Sequence, residues 1–309
     1  MPKLRNASVL VAVTALATLA SVAPSSAATE LNGAWAPFAR CPVDNAAMLA
    51  ADGKVNTAIC ISSSSASGSI KLGNTTVPTG RTDLQAGVVT HNDGTSTVVS
   101  PAGGALIADP AQLPGGLLGL MCPDDDIPVI SDLCAKITNA DLNRVDATVE
   151  SVNTPTDFQL LAGIMQGKPI IALPVRIKLE NPLLGSKCYI GSAKDPIVLR
   201  PQNTSAPAVK TTRFDANGTA NTAGVMSQLS AIGATQGDAT YTAPGANGCG
   251  LLGALDWAVN LKTGLPAGSG TNNVVLNNTS TYVAAFANPS SVVPNEGALL
   301  SQNWHAGVK

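Results

Sequence analysis

The chain contains two histidines, His91 and His305, and these are the residues from which general-base chemistry would be expected. Imidazole takes up and releases a proton near neutral pH, and it can activate a serine hydroxyl when a carboxylate orients the ring. His91 stands in a turn-forming stretch, and His305 follows Trp304 near the carboxyl end. Two alternatives remain open for each ring: a catalytic base, or a surface residue in a turn or docked tail.

No serine is marked as a nucleophile. Hydrolases of the α/β type carry G-x-S-x-G at a strand-to-helix turn, and this pentapeptide does not occur in the chain. The serines of residues 62–65 belong to a low-complexity polar stretch, which predicts a loop. If the chain is an enzyme, the expectation is a carboxylic ester hydrolase that lacks this motif, with His91 or His305 as its base.

Carboxylates are clustered at Asp124, Asp125 and Asp126, and oxygen ligands of this kind suit Ca²⁺. Their adjacent positions lack the alternating spacing of a calcium loop, so a solvated acidic turn is expected. The stretch from Asp215 to Gly218 is likewise typical of a turn. Neither a phosphate loop nor a dinucleotide fingerprint is present, and the sequence predicts no cofactor and no metal site.

The six cysteines indicate disulfides. An even number in an exported chain favours three bridges, for which fifteen connectivities exist, and the paired short spacings of a zinc site are missing. We expect pairing between neighbours in the sequence: Cys41 with Cys60, Cys122 with Cys134, and Cys188 with Cys249.

Residues 1–27 have the pattern of a cleavable signal peptide. Lys3 and Arg5 precede a mostly apolar run over residues 9–23, and Ser25 and Ala27 supply the small residues before a cleavage site. The apolar run is shorter than a membrane span of about 20 residues, and no later segment reaches that length without interruption. The sequence therefore predicts a secreted or extracellular protein, with association to the cell envelope left open, and no transmembrane span in the mature chain.

Composition narrows the choice of partners. Removal of Lys3 and Arg5 leaves 16 basic residues against 20 acidic ones, a net charge of −4. No cluster of basic residues offers a surface for nucleic acid or for anionic lipid headgroups. Charged residues make up 12% of the chain, compared with about 25% in ordinary domains, and aromatic residues make up 3%. An apolar small molecule or lipid would suit this composition, as would an ordinary core.

Alternating apolar residues and turn signals predict an all-β fold, mainly antiparallel and sandwich-like, with a few short helices. Residues 87–100 form the clearest hairpin, with Asp93 and Gly94 at its turn, and residues 173–180 form the clearest strand. Further strands are expected at 147–152, 158–164, 196–199, 257–261 and 282–286.

Short helices are expected at residues 46–51, with Asp44 as the cap, and at residues 131–145. A polar stretch around Pro155 suggests a division of the mature chain into β-rich halves at 28–152 and 153–309. The alternative is one continuous domain.

A local repeat, L-L-G-x-x-C, occurs at residues 117–122 and 183–188, and Leu251-Leu252-Gly253 follows Cys249. The simpler interpretation is a pair of leucines packed on a disulfide beside a glycine turn. The alternative is an exposed apolar rim that contacts a lipid, because an exposed patch of this kind usually has a partner.

Six stretches of the chain carry a resemblance to known proteins: residues 41–44, 48–53, 114–123, 181–191, 294–297 and 304–305. Through them the chain resembles a group of exported actinobacterial proteins commonly labelled cholesterol esterase. The resemblance implies the handling or hydrolysis of apolar lipids or sterol esters, and it brings no catalytic residues.

Two functions therefore remain open. The first is a secreted protein that handles or hydrolyses apolar lipids or sterol esters. The second is a non-catalytic extracellular or cell-envelope protein with a binding or structural role.

Overall fold

The protein folds as two antiparallel β-sheets, and the computed structural model describes residues 29–122, 134, 140–287 and 292–309. The expected signal peptide and Asp124–Asp126 lie outside the described residues. The first strands are β1 (Asn56–Ser65), β2 (Ser67–Leu72), β3 (Thr75–Thr79), β4 (Thr82–His91), β5 (Ser96–Val99) and β6 (Leu106–Ala108). The later strands are β7 (Ala111–Gln112), β8 (Asp146–Ser151), β9 (Leu173–Asn181), β10 (Gly185–Ile190), β11 (Ile197–Leu199), β12 (Gln202–Asn203), β13 (Ala208–Phe214), β14 (Met226–Asp238), β15 (Ala246–Asn247) and β16 (Asn273–Phe286).

Short helices decorate the sheets. They are α1 (Ala46–Leu49), α2 (Gly116–Met121), α3 (Ala140–Asn143), α4 (Leu160–Gln166), α5 (Asp256–Thr263) and α6 (Glu296–Ala306), with 3-10 helices at Gly33–Phe38 and Leu251–Gly253. Within the described ranges, none of these helices has the length and apolar character needed to cross a bilayer.

The large sheet has the order β12-β14-β16-β1-β4-β5, with β13 on β14, β6 on β4, and the β2–β3 pair on β16. The second sheet has the order β15-β10-β9-β8-β7, with β11 on β9. Both sheets take strands from either side of residue 152. The antiparallel, sandwich-like β fold expected from the sequence is confirmed.

Both faces of the large sheet are covered, and β1 shows this most clearly. Ala58 and Cys60 point to one face, where they pack with residues of the terminal segments such as Trp35 and Trp304. Ile61 points to the opposite face. Because side chains alternate along a strand, a strand that is buried on both faces carries apolar residues in succession.

The second sheet packs against the face of the large sheet away from the terminal segments. Ile70 and Leu72 of β2 meet Val175 and Ile177 of β9 in this inter-sheet core. The strand expected at 173–180 is confirmed as β9, and its apolar residues are buried while Glu180 is exposed.

All three expected disulfides are confirmed: Cys41–Cys60, Cys122–Cys134 and Cys188–Cys249. The first ties the terminal segment to β1, and the third ties β10 to the chain that precedes α5. The expected hairpin is also confirmed as β4–β5, and Gly94 at its turn has a φ of +82°.

Two strand predictions were wrong. Residues 158–164 fall largely in α4, and residues 257–261 fall in α5. In α5 the buried side chains are Ala258, Val259 and Thr263, which is a helical spacing, and a left-handed glycine ends the helix. The apparent alternation at 257–261 arose because apolar Trp257 and Leu261 are exposed at i and i+4.

The two helix predictions have different outcomes. A helix forms at Ala46–Leu49, but its cap is Asn45, whose side chain accepts a hydrogen bond from the Ala47 N–H at 2.9 Å. Asp44, the expected cap, instead accepts hydrogen bonds from Ser301 and His305. Much of the helix expected over 131–145 lies outside the described residues, and α3 lies within it.

Candidate functional site

His91 ends β4 and is held by neighbours on both adjacent strands. Its Nδ1 lies 2.6 Å from Asn56 Oδ1, and its Nε2 lies 2.9 Å from Thr97 Oγ1. An amide oxygen only accepts hydrogen bonds, so Nδ1 is the donor in the hydrogen bond to Asn56. Both ring nitrogens are therefore engaged by an amide and a threonine, and neither bonds to a serine.

His305 lies next to a serine and a carboxylate that the sequence did not place together. Its Nε2 donates to Asp44 at 3.0 Å from each carboxylate oxygen, and the Ser301 hydroxyl donates to Asp44 Oδ1 at 2.6 Å. Ser301 and His305 occupy the same face of α6, four residues apart. The hydrogen bond from Ser301 lowers the pKa of Asp44, and so do the hydrogen bond from His305 and the electrostatic effect of the same ring.

The order of these groups differs from a hydrolytic triad. In such a triad the imidazole stands between hydroxyl and carboxylate, so that it can take the serine proton. Here the carboxylate of Asp44 stands in the middle, and the Ser301 proton points to it. The arrangement ties α6 to the segment that precedes α1.

The structure also contains a cavity between the two sheets. It encloses about 60 Å³ and adjoins a second space of about 40 Å³. Leu106, Leu173, Leu276, Pro201 and Thr82 line both spaces. The cavity is thus continuous in its walls with the inter-sheet core, and its surface is overwhelmingly apolar.

Hydroxyl groups form the floor of this cavity without making it polar. Ser63 and Thr281 share a hydrogen bond of 2.9 Å across β1 and β16, and Ser65 and Thr82 share one of 2.7 Å across β1 and β4. The Thr279 hydroxyl donates to the Ala234 carbonyl at 3.1 Å. Because these hydroxyls bond within the sheet, they present little polarity to an occupant. The buried hydroxyl of Thr79 in the second space is an exception, since it has no hydrogen-bond partner among the described residues.

The serines at 62–65 correct a prediction. They were expected in a loop, but they form the end of β1. Cross-strand hydrogen bonds explain the difference, because the hydroxyls of Ser63 and Ser65 each pair with a threonine hydroxyl on a neighbouring strand. The strand was missed because a run of identical polar residues shows no alternation of apolar and polar side chains.

The roof of the cavity is a covering segment, residues 153–172, which includes α4. Phe158, Leu160, Ile170 and Ile171 of this segment line the cavity. Its two ends are joined where Thr156 and Ala172 exchange backbone hydrogen bonds of 2.9 and 2.8 Å.

Only a few polar contacts join the covering segment to the rest of the protein. Arg200 contacts Asp157 at 3.3 Å, and both side chains are substantially exposed. Ile170 N–H donates to the Pro201 carbonyl at 3.0 Å, and Asn153 donates to the Ala193 carbonyl at 2.9 Å. Such a segment is held mainly by the apolar contacts beneath it.

The leucine pairs of the local repeat have different environments. Leu117 and Leu184 are fully buried in the inter-sheet core, as the simpler interpretation expected. Leu251 and Leu252 are 85% and 99% exposed. The repeat in sequence is therefore not a repeat in environment.

Of the remaining candidate ligands, only those around Asp215 lie within the described residues. Asp215 to Gly218 make a turn in which the Gly218 N–H donates to the Asp215 carbonyl at 2.9 Å, as expected. In the part of the chain that the structure describes, no three histidine, cysteine or acidic side chains come together as metal ligands.

Comparison with known proteins adds no relative: no family model, no curated protein and no solved structure matches this chain.

Proposed function

We propose that this protein is an exported, non-catalytic binding protein that holds one apolar chain, such as that of an acyl lipid, between its two sheets. The observation that carries the proposal is the apolar cavity under the covering segment. Pockets lined by apolar side chains between packed layers are typical places for small apolar ligands.

The size of the cavity decides between ligand classes. A water molecule needs about 10–15 Å³ of such space, so the two spaces together, about 60 and 40 Å³, correspond to roughly seven to ten waters. Pockets for drug-sized ligands are larger, at about 300–1,000 Å³. A fused ring system such as a sterol exceeds this space, whereas the terminal carbons of a single chain can enter it end-on. In a sterol ester, which the family resemblance suggests, the acyl part would be the part that enters.

The polarity of the lining favours an uncharged occupant. The floor hydroxyls of Ser63, Ser65 and Thr281 are paired within the sheet, and no charged side chain among the described residues lines the cavity. A charged headgroup would lose its hydration there without compensation. The headgroup of the ligand therefore stays outside, and only the chain is buried.

The positions of the histidines support binding over hydrolysis. His305 lies on α6, and α6 packs through Leu300 and Trp304 on the face of the large sheet away from the cavity. His91 is bonded to Asn56 and Thr97. Neither imidazole lines the cavity, and the helix that carries His305 lies on the opposite face of the large sheet, which favours binding over hydrolysis.

Export is supported by two independent features. The sequence has the pattern of a signal peptide over residues 1–27, and the structure contains three disulfides, which persist in oxidising compartments. Amino-terminal sequencing of protein recovered from the culture medium would test this, and the expected first residue is Ala28.

Binding is tested by calorimetric titration with a saturated medium-chain fatty acid. Leu106 lines both spaces, and its neighbour Ile107 on β6 points away and is 49% exposed. Leu106→Phe fills the cavity and should weaken binding at least tenfold, while Ile107→Phe should leave it unchanged. Equal affinity in the two variants, or no binding by the wild type, would overturn the proposal.

A further inference from the structure

A protruding apolar tip lies at the 3-10 helix Leu251–Gly253, far along the chain from the covering segment. Leu251 is 85% exposed and Leu252 is 99% exposed, the two largest values among the exposed large apolar residues of the described chain. Scattered exposed leucines are ordinary, but two in succession with almost no protein contact are not.

The tip is held in place from behind. The Cys188–Cys249 disulfide is buried beneath it, and the Cys249 N–H donates to Asp256 Oδ1 at 2.6 Å. The Gly250 N–H donates to the Leu184 carbonyl at 2.7 Å. The exposure of the leucines is therefore a property of the folded chain.

The backbone of Leu252 supports the same conclusion. Leu252 has φ +54° and ψ +27°, the left-handed region, which a leucine adopts at a cost in free energy. A glycine or asparagine would adopt this conformation more easily. A large apolar side chain thus stands at a position where the backbone favours a small or polar one.

Further exposed apolar residues follow the tip in the sequence, and a groove lies beside it. Trp257 and Leu261 of α5 occupy one face of that helix, and each is about half exposed. On the other side, Ser186, Lys187 and Asn247 line an open groove beside the leucines.

We propose that Leu251 and Leu252 insert into a lipid surface that has no net charge. A narrow tip of two leucines suits the fluid acyl region of a lipid layer, and the indole of Trp257 suits its interface. A protein partner would need a broad apolar face, whereas this tip is narrow and the groove beside it also presents Ser186, Lys187 and Asn247.

Charge selects the kind of lipid surface. The groove beside the tip is lined by one cation, Lys187, and one anion, Asp256, and the chain without residues 1–27 has a net charge of −4. No cluster of basic residues is present to attract anionic headgroups. Insertion is therefore driven by apolar burial and should depend little on salt. This inference does not depend on the cavity, because the tip and the cavity share no residues.

Flotation with phosphatidylcholine vesicles tests the proposal, using the purified protein with its disulfides intact. Leu251→Ser and Leu252→Asn should each weaken vesicle binding about tenfold or more, from the apolar surface lost. Val209→Ser is the matched control, because Val209 is 52% exposed on β13, and it should bind like the wild type. Asparagine tolerates the left-handed backbone, so Leu252→Asn should unfold at the same temperature as the wild type or higher.

Three outcomes would overturn the proposal. The first is the absence of wild-type binding to phosphatidylcholine vesicles. The second is binding that requires added phosphatidylglycerol and is lost in high salt. The third is a wild-type dimer in light scattering that becomes a monomer in Leu252→Asn, since the tip would then be an interface between two copies of this chain.

Discussion

The buried carboxyl group of Glu296 should make the stability of this protein fall as the pH rises toward neutrality. Glu296 is the first residue of α6 and is 6% exposed, and its Oε1 accepts a hydrogen bond from the Ala58 N–H of β1 at 3.2 Å. Burial, together with the negative charge of Asp52, raises its pKa from 4.5 to about 7, against the lowering effect of the Ala58 hydrogen bond.

The direction of this pH dependence follows from the protonation of Glu296 in the folded and unfolded states. Below the unfolded-state pKa of 4.5 the carboxyl group is neutral in both states, and the contribution of the neutral group to stability is fully present. As the pH rises through about 7, the folded protein must hold a buried carboxylate, and that stability is lost. The loss in the free energy of unfolding is at most about 3 kcal/mol, because each unit of pKa shift corresponds to about 1.4 kcal/mol. Relaxation of the carboxylate toward water reduces this loss to roughly 1–2 kcal/mol.

Glu296→Gln keeps the acceptor for Ala58 and removes the charge. Urea unfolding at about pH 5 and about pH 8 should show the variant gaining roughly 1–2 kcal/mol over the wild type at the higher pH only. Glu180→Gln, at an exposed residue of β9, is the control and should give the same difference at both pH values within a few tenths of a kcal/mol. A Glu296→Gln effect that is the same at both pH values would refute the reasoning.

Three further predictions concern the cavity, the histidines and a disulfide. Leu106→Ala should lower the free energy of unfolding by about 2–4 kcal/mol in urea, because Leu106 is buried and its removal enlarges the cavity; a loss below 1 kcal/mol would mean that the walls collapse. His305→Ala removes an exposed contact to Asp44 and should cost less than about 1 kcal/mol, and neither it nor His91→Ala should change the hydrolysis of a p-nitrophenyl or cholesteryl ester; activity lost in one variant that remains folded would establish an esterase and name its base. Replacement of both Cys188 and Cys249 by alanine opens a loop of 61 residues and should cost about 4 kcal/mol on the loop-entropy estimate, measured by urea unfolding with the other two disulfides intact; an unchanged midpoint would contradict it.

Local patterns in the sequence predicted those parts of the fold that local physics decides. Gly94 allows the turn of the β4–β5 hairpin, and the alternation in β9 matches a strand with one buried face. Cysteine neighbours paired as expected. At residues 257–261, by contrast, two exposed apolar residues imitated an alternating strand, and only packing on Ala258 and Val259 shows the helix.

The candidate sites depend on contacts that are distant in the sequence. Asp44 and Ser301 are 257 residues apart, and no local pattern indicates that they meet. The cavity forms where the covering segment crosses the end of β1, and its hydroxyl floor uses serines that the sequence suggested were in a loop. Exposure of Leu251 and Leu252, in contrast with buried Leu117 and Leu184, is decided by packing and not by the shared motif.

The most direct test of the central proposal is the structure of a crystal grown in the presence of a medium-chain fatty acid at saturating concentration. Continuous electron density for the chain should lie between the sheets, in contact with Leu106 and Leu173 and beneath Phe158 of the covering segment. An empty cavity in a crystal that holds the acid elsewhere on the protein would contradict the proposal.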